Sequence, residues 1–221
     1  MFIFLALFLF MELLKNFLKE HLFITSDKVF ADFEMYNRLL MEWNSKINLI
    51  SRKNTDIENN VLNSIFFLTK YPLKGNEKIV DIGTGGGFPS IPLKIIYPGL
   101  KVTLNDSINK KIKVLDDIIK QMNMIDTETV WGRAEEINSN KKYFRQYDIA
   151  ISKSVAGLDK LYLWSREFLN RNGRMLAIKG GDISDEKKLM KKFPSYKIKE
   201  IDFEFEEKYN IIDKKLIVIS E

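Results

Sequence analysis

Residues 80–89 read VDIGTGGGFP, from Val80 to Pro89. A short apolar run enters a cluster of glycines, and Pro89 then starts a helix at its first turn. Glycine accepts positive φ and lets the backbone approach a ligand closely. The helix start behind it offers free N–H groups and a partial positive charge to an anionic group. Glycines at 83, 85, 86 and 87 are more than a tight strand-to-helix turn requires. A phosphate-binding P-loop would end in Gly-Lys-Ser/Thr, and this loop ends in Phe88 and Pro89. The dinucleotide fingerprint G-x-G-x-x-G/A also fails. Counted from Gly83 its last position is Phe88, and counted from Gly85 it is Ser90.

What remains is Asp-x-Gly-x-Gly-x-Gly, a loop suited to an adenosine ligand with a small carboxylate tail and no pyrophosphate. S-adenosylmethionine answers that description, with Gly83, Gly85 and Gly87 as the loop's binding positions. Working outward, KVTLND is a second strand, and its last residue, Asp106, is placed to accept from both ribose hydroxyls. A third strand, TETVWG, runs into Arg133, Ala134 and Glu135, where a carboxylate would accept from an adenine amino group. A fourth, YDIAIS, runs into Lys153 and Ser154 at the same carboxyl edge. Each of these loops is unremarkable alone. On consecutive strand tips they converge on one cofactor pocket.

Helical stretches separate these strands, from about Pro89 to Ile96, then with Ile112, Leu115, Ile119 and Met122 on one face, then from about Leu158 to Leu169. RMLAIKG is a fifth strand. Strands alternating with helices give a parallel sheet covered on both faces. The end breaks the rhythm: YKIKEIDFEFEE and KKLIVIS are separated by a few residues around Asn210, too few for a helical crossover, so this pair is antiparallel. The fold class is therefore α/β, a mostly parallel sheet with an antiparallel C-terminal strand.

Before Lys78 there is no strand pattern. Phe30, Phe33, Tyr36, Leu40, Trp43 and Ile47 recur at helical spacing, predicting an amphipathic helix over Asp27–Asn48 with Asp27 as N-cap. A second helix is expected from about Ile57 to Lys70, closed by Pro72 and Gly75. The division expected is a helical extension over 1–74 and a cofactor-binding domain over 75–221. The first ten residues, MFIFLALFLF, are too few to span a bilayer and lack the charge and cleavage site of a signal peptide. Three readings stand for them, a helical turn, sequence upstream of a true start at Met11, or a membrane-surface anchor, the last lacking the flanking basic residues it would want, and the protein is expected to be cytoplasmic.

Composition narrows the chemistry. The 221 residues hold no cysteine and one histidine, His21, so cysteine nucleophiles, thiolate metal sites and Ser-His-Asp catalysis are not expected, nor is a metal. A balance of 35 Lys+Arg against 30 Asp+Glu gives a net charge of +5, compatible with a nucleic-acid partner without requiring one.

VDIGTGGGFPSIPL, LNDSINKKIKVL, WGRAEE, ISKSVA and the helical MEWNSKINLIS together resemble the bacterial small-subunit ribosomal RNA guanine-N7 methyltransferase family, the RsmG or glucose-inhibited division protein B family. The resemblance runs from about Met11 onward. It implies a Rossmann-like class I methyltransferase with a seven-stranded sheet and helical N-terminal extension, S-adenosylmethionine as cofactor, and 16S ribosomal RNA or the small subunit as partner. It also implies that Gly83 and Phe88 line the cofactor while Ala134 and Glu135 hold the adenine edge. Two positions depart from the pattern. Lys153 stands where the family commonly has Arg, and Asn60 and Asn63 stand where it has His and Asp.

Absent motifs discriminate among methyl acceptors. Pyrimidine C5 methylation needs a cysteine adduct, and exocyclic amines usually need an Asn/Asp-Pro-Pro-aromatic loop after the fourth strand, which here reads Ser152-Lys153-Ser154-Val155. Guanine N7 has an in-plane lone pair and no proton, so it attacks the sulfonium methyl without a general base. Catalysis is then expected to be positioning, worth up to about 7–11 kcal/mol of barrier, with no catalytic side chain. Candidate RNA contacts are Arg52, Lys110, Lys111, Arg133, Lys153 and Lys179, of which one would bond guanine O6 and the others phosphates. Two alternatives stay open: a small-molecule methyltransferase, and an RNA-binding assembly factor that has lost activity.

Overall fold

The computed structural model describes residues 11–47, 49, 57–193 and 196–220. Its strands are β1 (Lys78–Ile82), β2 (Lys101–Asp106), β3 (Thr127–Trp131), β4 (Tyr147–Lys153), β5 (Leu169–Gly180), β6 (Lys197–Asp202) and β7 (Lys214–Ser220). They form one seven-stranded sheet in the order β3-β2-β1-β4-β5-β7-β6. β1 to β5 pair in parallel. β7 runs antiparallel to both β5 and β6; β6 stops at Asp202, short of the expected strand end, and residues 203–213, with a 3₁₀ turn over Glu207–Tyr209, make the reversal into β7 without a helical crossover. β1 is an interior strand between β2 and β4, and Ile79, Val80, Asp81 and Ile82 are all buried, as in a strand covered on both faces.

Among the described residues, three α-helices precede the sheet: α1 (Glu12–Leu22), α2 (Asp27–Lys46) and α3 (Ile57–Ile65). Those after it are α4 (Ser90–Ile96), α5 (Asn109–Gln121), α6 (Ala134–Ile137), α7 (Leu158–Ser165) and α8 (Ser184–Met190). α2 buries Phe33, Tyr36, Leu39 and Leu40 at three- and four-residue spacing. Ser26, not Asp27, is its N-cap: the hydroxyl accepts from Val29 N at 3.5 Å, and Asp27 becomes an acidic first-turn residue. The second expected helix stops at Ile65 and tightens into a 3₁₀ turn over Phe66–Thr69. Phe66, Phe67 and Leu68 are all buried there, and Thr69 Oγ1 donates to Phe66 O at 2.9 Å within the turn. α7 ends at Ser165, before Leu169, because the chain already re-enters the sheet at Leu169, opposite Tyr147.

One hydrophobic cluster joins the helical extension to a face of the sheet, with Leu14, Phe17, Leu40, Val61 and Phe66 continuous with Ile79, Leu93, Leu176 and Leu216. The other face holds two smaller clusters, one around Leu158, Met175 and Ile217 and one around Val80, Tyr147 and Phe168. The extension is thus packed into the main core. Residues 1–10 and Arg52 lie outside the described residues.

Candidate active site

The loop after β1 is held from three directions. Asn105 O accepts from Gly83 N and Thr84 N, each at 2.9 Å. Beneath the loop, Asp81 Oδ2 accepts from Thr84 Oγ1 at 2.9 Å and from Ser90 N at 3.2 Å. Asp81 is fully buried, which pushes its carboxyl up to about 7, while the bonds from Thr84 and Ser90 and the Lys153 charge pull the other way. From β2, Asp106 Oδ2 accepts from Gly85 N at 2.9 Å and Oδ1 from Ile108 N at 2.9 Å, with Lys111 Nζ at 3.8 Å. From α2, the Tyr36 hydroxyl donates to Gly86 O at 2.7 Å, and its ring lies 5.7 Å from that of Phe88. Burial raises the Tyr36 hydroxyl well above the ordinary tyrosine value, so it stays a donor.

The glycines divide their work. A Cβ on Gly83 (φ +73°) would lie 2.7 Å from Val155 Cγ2, so Gly83 allows the loop after β4 to close against it. A Cβ on Gly85 (φ +60°) would meet nothing within 4 Å, because this residue faces open space. Gly87 is buried; a Cβ there would run into Ile91 and come within 3.1 Å of the Tyr36 hydroxyl. It serves packing beneath α2, away from the cleft for which it was a candidate.

A cleft of about 190 Å³ opens between the tips of β1, β2, β3 and β4. Gly83, Arg133, Ala134 and Glu135 line it, together with Asn105, Ser107, Val155 and Trp164. Beside it, Phe88 is buried and Lys153 Nζ stands 5.3 Å above its ring. Burial, then the Lys214 charge, holds the Lys153 amine down to about 8, with Asp81 opposing. Ser152, in the same motif, ties β4 to β1 by donating from Oγ to Ile82 O at 2.9 Å.

A family model described as rRNA small subunit methyltransferase G matches residues 30–211. A protein of that name from Clostridium novyi is 38% identical over 202 residues, which is 87% of this chain and 83% of the relative. One from Christiangramia forsetii is 35% identical over 207 residues, 90% and 92% of the two chains. The chain belongs to the rRNA small subunit methyltransferase G family. As a family member it is a methyltransferase with S-adenosylmethionine as its cofactor. Among solved structures, an MtNAS variant in complex with S-adenosylmethionine has a TM-score of 0.56 at 11% identity, over 87% of this chain and 75% of that one. The Methanococcus jannaschii fibrillarin pre-rRNA processing protein has a TM-score of 0.54 at 16% identity, over 71% and 74%. These two likenesses speak for the fold.

The chemistry of the cleft fits that cofactor. Glu135 in the cleft and Asp106 between its lining residues Asn105 and Ser107 are carboxylate acceptors for an amine and hydroxyls, Val155 and Ala134 offer apolar walls, and Gly85 leaves room along the loop. Other candidates stand elsewhere. Lys179, a candidate RNA contact, is buried; its Nζ donates to Ala156 O at 2.6 Å and pairs with Glu186 at 2.7 Å, so it fastens the loop after β4 to α8. Lys110 and Arg133 are exposed, and Lys111 is half-buried against Asp106. Asn60 and Asn63, the departures from the family's His and Asp, are each 9% exposed and face the core. Trp43 is half-buried and donates to Asp117 on α5 at 2.8 Å. Two residues escaped the sequence reading, Tyr36 and Asn105. Tyr36 looked like any buried residue on an apolar stripe, and Asn105 like an interior strand position beside the conspicuous Asp106. Among the described residues, no helix is long and apolar enough to cross a membrane. Glu20, His21 and Glu206 form one trio with metal-ligating spacing, but Lys208 bridges both carboxylates, at 3.3 and 2.9 Å.

Proposed function

We propose that this chain transfers the methyl group of S-adenosylmethionine to N7 of a guanine in small-subunit (16S) ribosomal RNA, in the cytoplasm, by direct in-line attack without a general base. The observation that carries the proposal is the pairing of an open-faced glycine loop, at Gly85, with Lys153 and Val155 at the tip of β4, the Lys153 amine standing over the Phe88 ring of that loop. Ala134 and Glu135 would hold the adenine edge, and Asp106 the ribose. Each Asp106 oxygen already accepts one backbone N–H, which leaves it a lone pair for a hydroxyl. Gly83 and Gly85 would admit the amino-acid tail, and Phe88 would underlie it. When bound, the cofactor supplies an electrophilic methyl on a sulfonium. The chain's part is orientation: the Lys153 ammonium would bond guanine O6, leaving N7 free and in line. Lys110, Lys111 and Arg133 would meet phosphates, making binding salt-dependent.

The test is methyl transfer from labelled S-adenosylmethionine to small subunits, and separately to naked 16S RNA, from cells lacking the modification. Reduction and aniline treatment then cleave RNA at 7-methylguanosine. Label confined to one cleavable guanine is the expected result. Label at a position that resists cleavage refutes N7, and transfer to a metabolite instead of RNA refutes the substrate. Cofactor binding without turnover on any RNA would leave an inactive assembly factor.

A further inference from the structure

We infer that Trp131 is a stacking platform for an unpaired RNA base next to the target nucleotide; the inference rests on the RNA substrate proposed above. Trp131 closes β3, an edge strand of the sheet, in register with Asp106. Of the three tryptophans it is the exposed one, at 61%, whereas Trp43 and Trp164 are half-buried. Its indole N–H donates to Ser107 O at 3.1 Å, which anchors the polar end and fixes the ring's orientation at the rim. Among the described residues, no aromatic ring and no Lys or Arg head group stacks on its face.

The surroundings select the occupant. Ser107, which accepts from the indole, and Arg133, two residues beyond Trp131, both line the cleft while Trp131 does not, so the ring stands at its mouth and not inside it. Ile108, 48% exposed, extends the apolar surface, and Lys110 follows exposed in the first turn of α5. An aromatic face among cations is how proteins hold single-stranded RNA, with cations on phosphates and the ring on a splayed base. A polyanion matches this charge, whereas a second copy of a chain with net charge +5 would bring like charges together. Because the ring is outside the cleft, it acts on substrate capture and leaves the cofactor alone.

The experiment compares Trp131→Leu and Trp131→Phe with wild type, using small subunits as methyl acceptor and calorimetry for S-adenosylmethionine. Trp131→Leu should raise KM for the subunit about tenfold with kcat within twofold, and Trp131→Phe should recover most of that loss. Cofactor affinity should stay within twofold for both. In parallel, titration with a short single-stranded RNA should quench wild-type tryptophan fluorescence, and the quench should vanish in Trp131→Phe. An unchanged KM in Trp131→Leu overturns the inference. So does a KM rise matched by lost cofactor affinity, or a shift in oligomeric state, either of which gives the ring another role. Wild type that binds RNA without methylating it would sink the proposed function, and the quench would still decide for or against Trp131.

Discussion

Replacing Tyr36 with Phe removes one oxygen atom and tests whether the helical extension shapes the cofactor loop. The hydroxyl donates to Gly86 O at 2.7 Å, and both residues are buried. Without it the carbonyl stays buried with no donor, at a cost of about 1–3 kcal/mol. In a protein of this size each kcal/mol moves Tm by about 2–4 °C, so a fall of roughly 2–12 °C follows. Gly86 adjoins Gly85, the loop residue that faces open space, so part of the loss should appear as a loop less ordered for binding. S-adenosylmethionine affinity should weaken about three- to tenfold by calorimetry. Tyr147→Phe is the control: it deletes a buried hydroxyl that donates to Thr103 at 3.0 Å, at the end of β4 remote from the cleft. It should lower Tm while leaving cofactor affinity alone. Equal affinities for Tyr36→Phe and wild type, whatever Tm does, would refute the coupling, as would an equal affinity loss in Tyr147→Phe.

Gly85→Ala meets open space, so it should cost only about 1–2 kcal/mol for its positive φ yet weaken cofactor binding, whereas Gly83→Val collides with Val155 and should abolish binding; thermal unfolding and calorimetry read both. Asp106→Ala releases Gly85 N and Ile108 N together and should lower cofactor affinity about tenfold or more; unchanged affinity removes Asp106 from the site. Lys153 loses its proton as pH rises through about 8, so KM for the RNA substrate should climb above pH 8 in wild type, while Lys153→Arg, charged throughout, should keep a flat profile. Asp81 has a folded value near 7 against an ordinary 3.8, so the folded state holds the proton longer. Its contribution therefore falls as pH rises from about 4 to 7 and stays low above that. Denaturant unfolding of Asp81→Asn should lack that downward slope.

The strand-glycine-helix stretch at 80–89 declared its conformation in residue types alone, because positive φ and close approach are properties of glycine wherever it sits. The order of strands and helices, and the reversal near Asn210, were legible for a similar local reason: periodicity and connection length constrain them. The tips bearing Asp106, Ala134, Glu135 and Lys153 followed, since parallel strands deliver their carboxyl ends to one edge. Capping at Ser26 and the tightening at Phe66 were not legible, because neighbouring residues compete there and packing decides. Tertiary structure alone revealed that α2 reaches the loop through Tyr36, that Gly87 faces the core instead of the cleft, and that Lys179 is spent on Glu186. A side chain's partner 50 residues away depends on how elements stack, and one residue's chemistry carries no record of that. The kind of site was thus written along the chain, while the division of its residues into those that meet ligand and those that hold the frame arose only when the sheet and helices closed on each other.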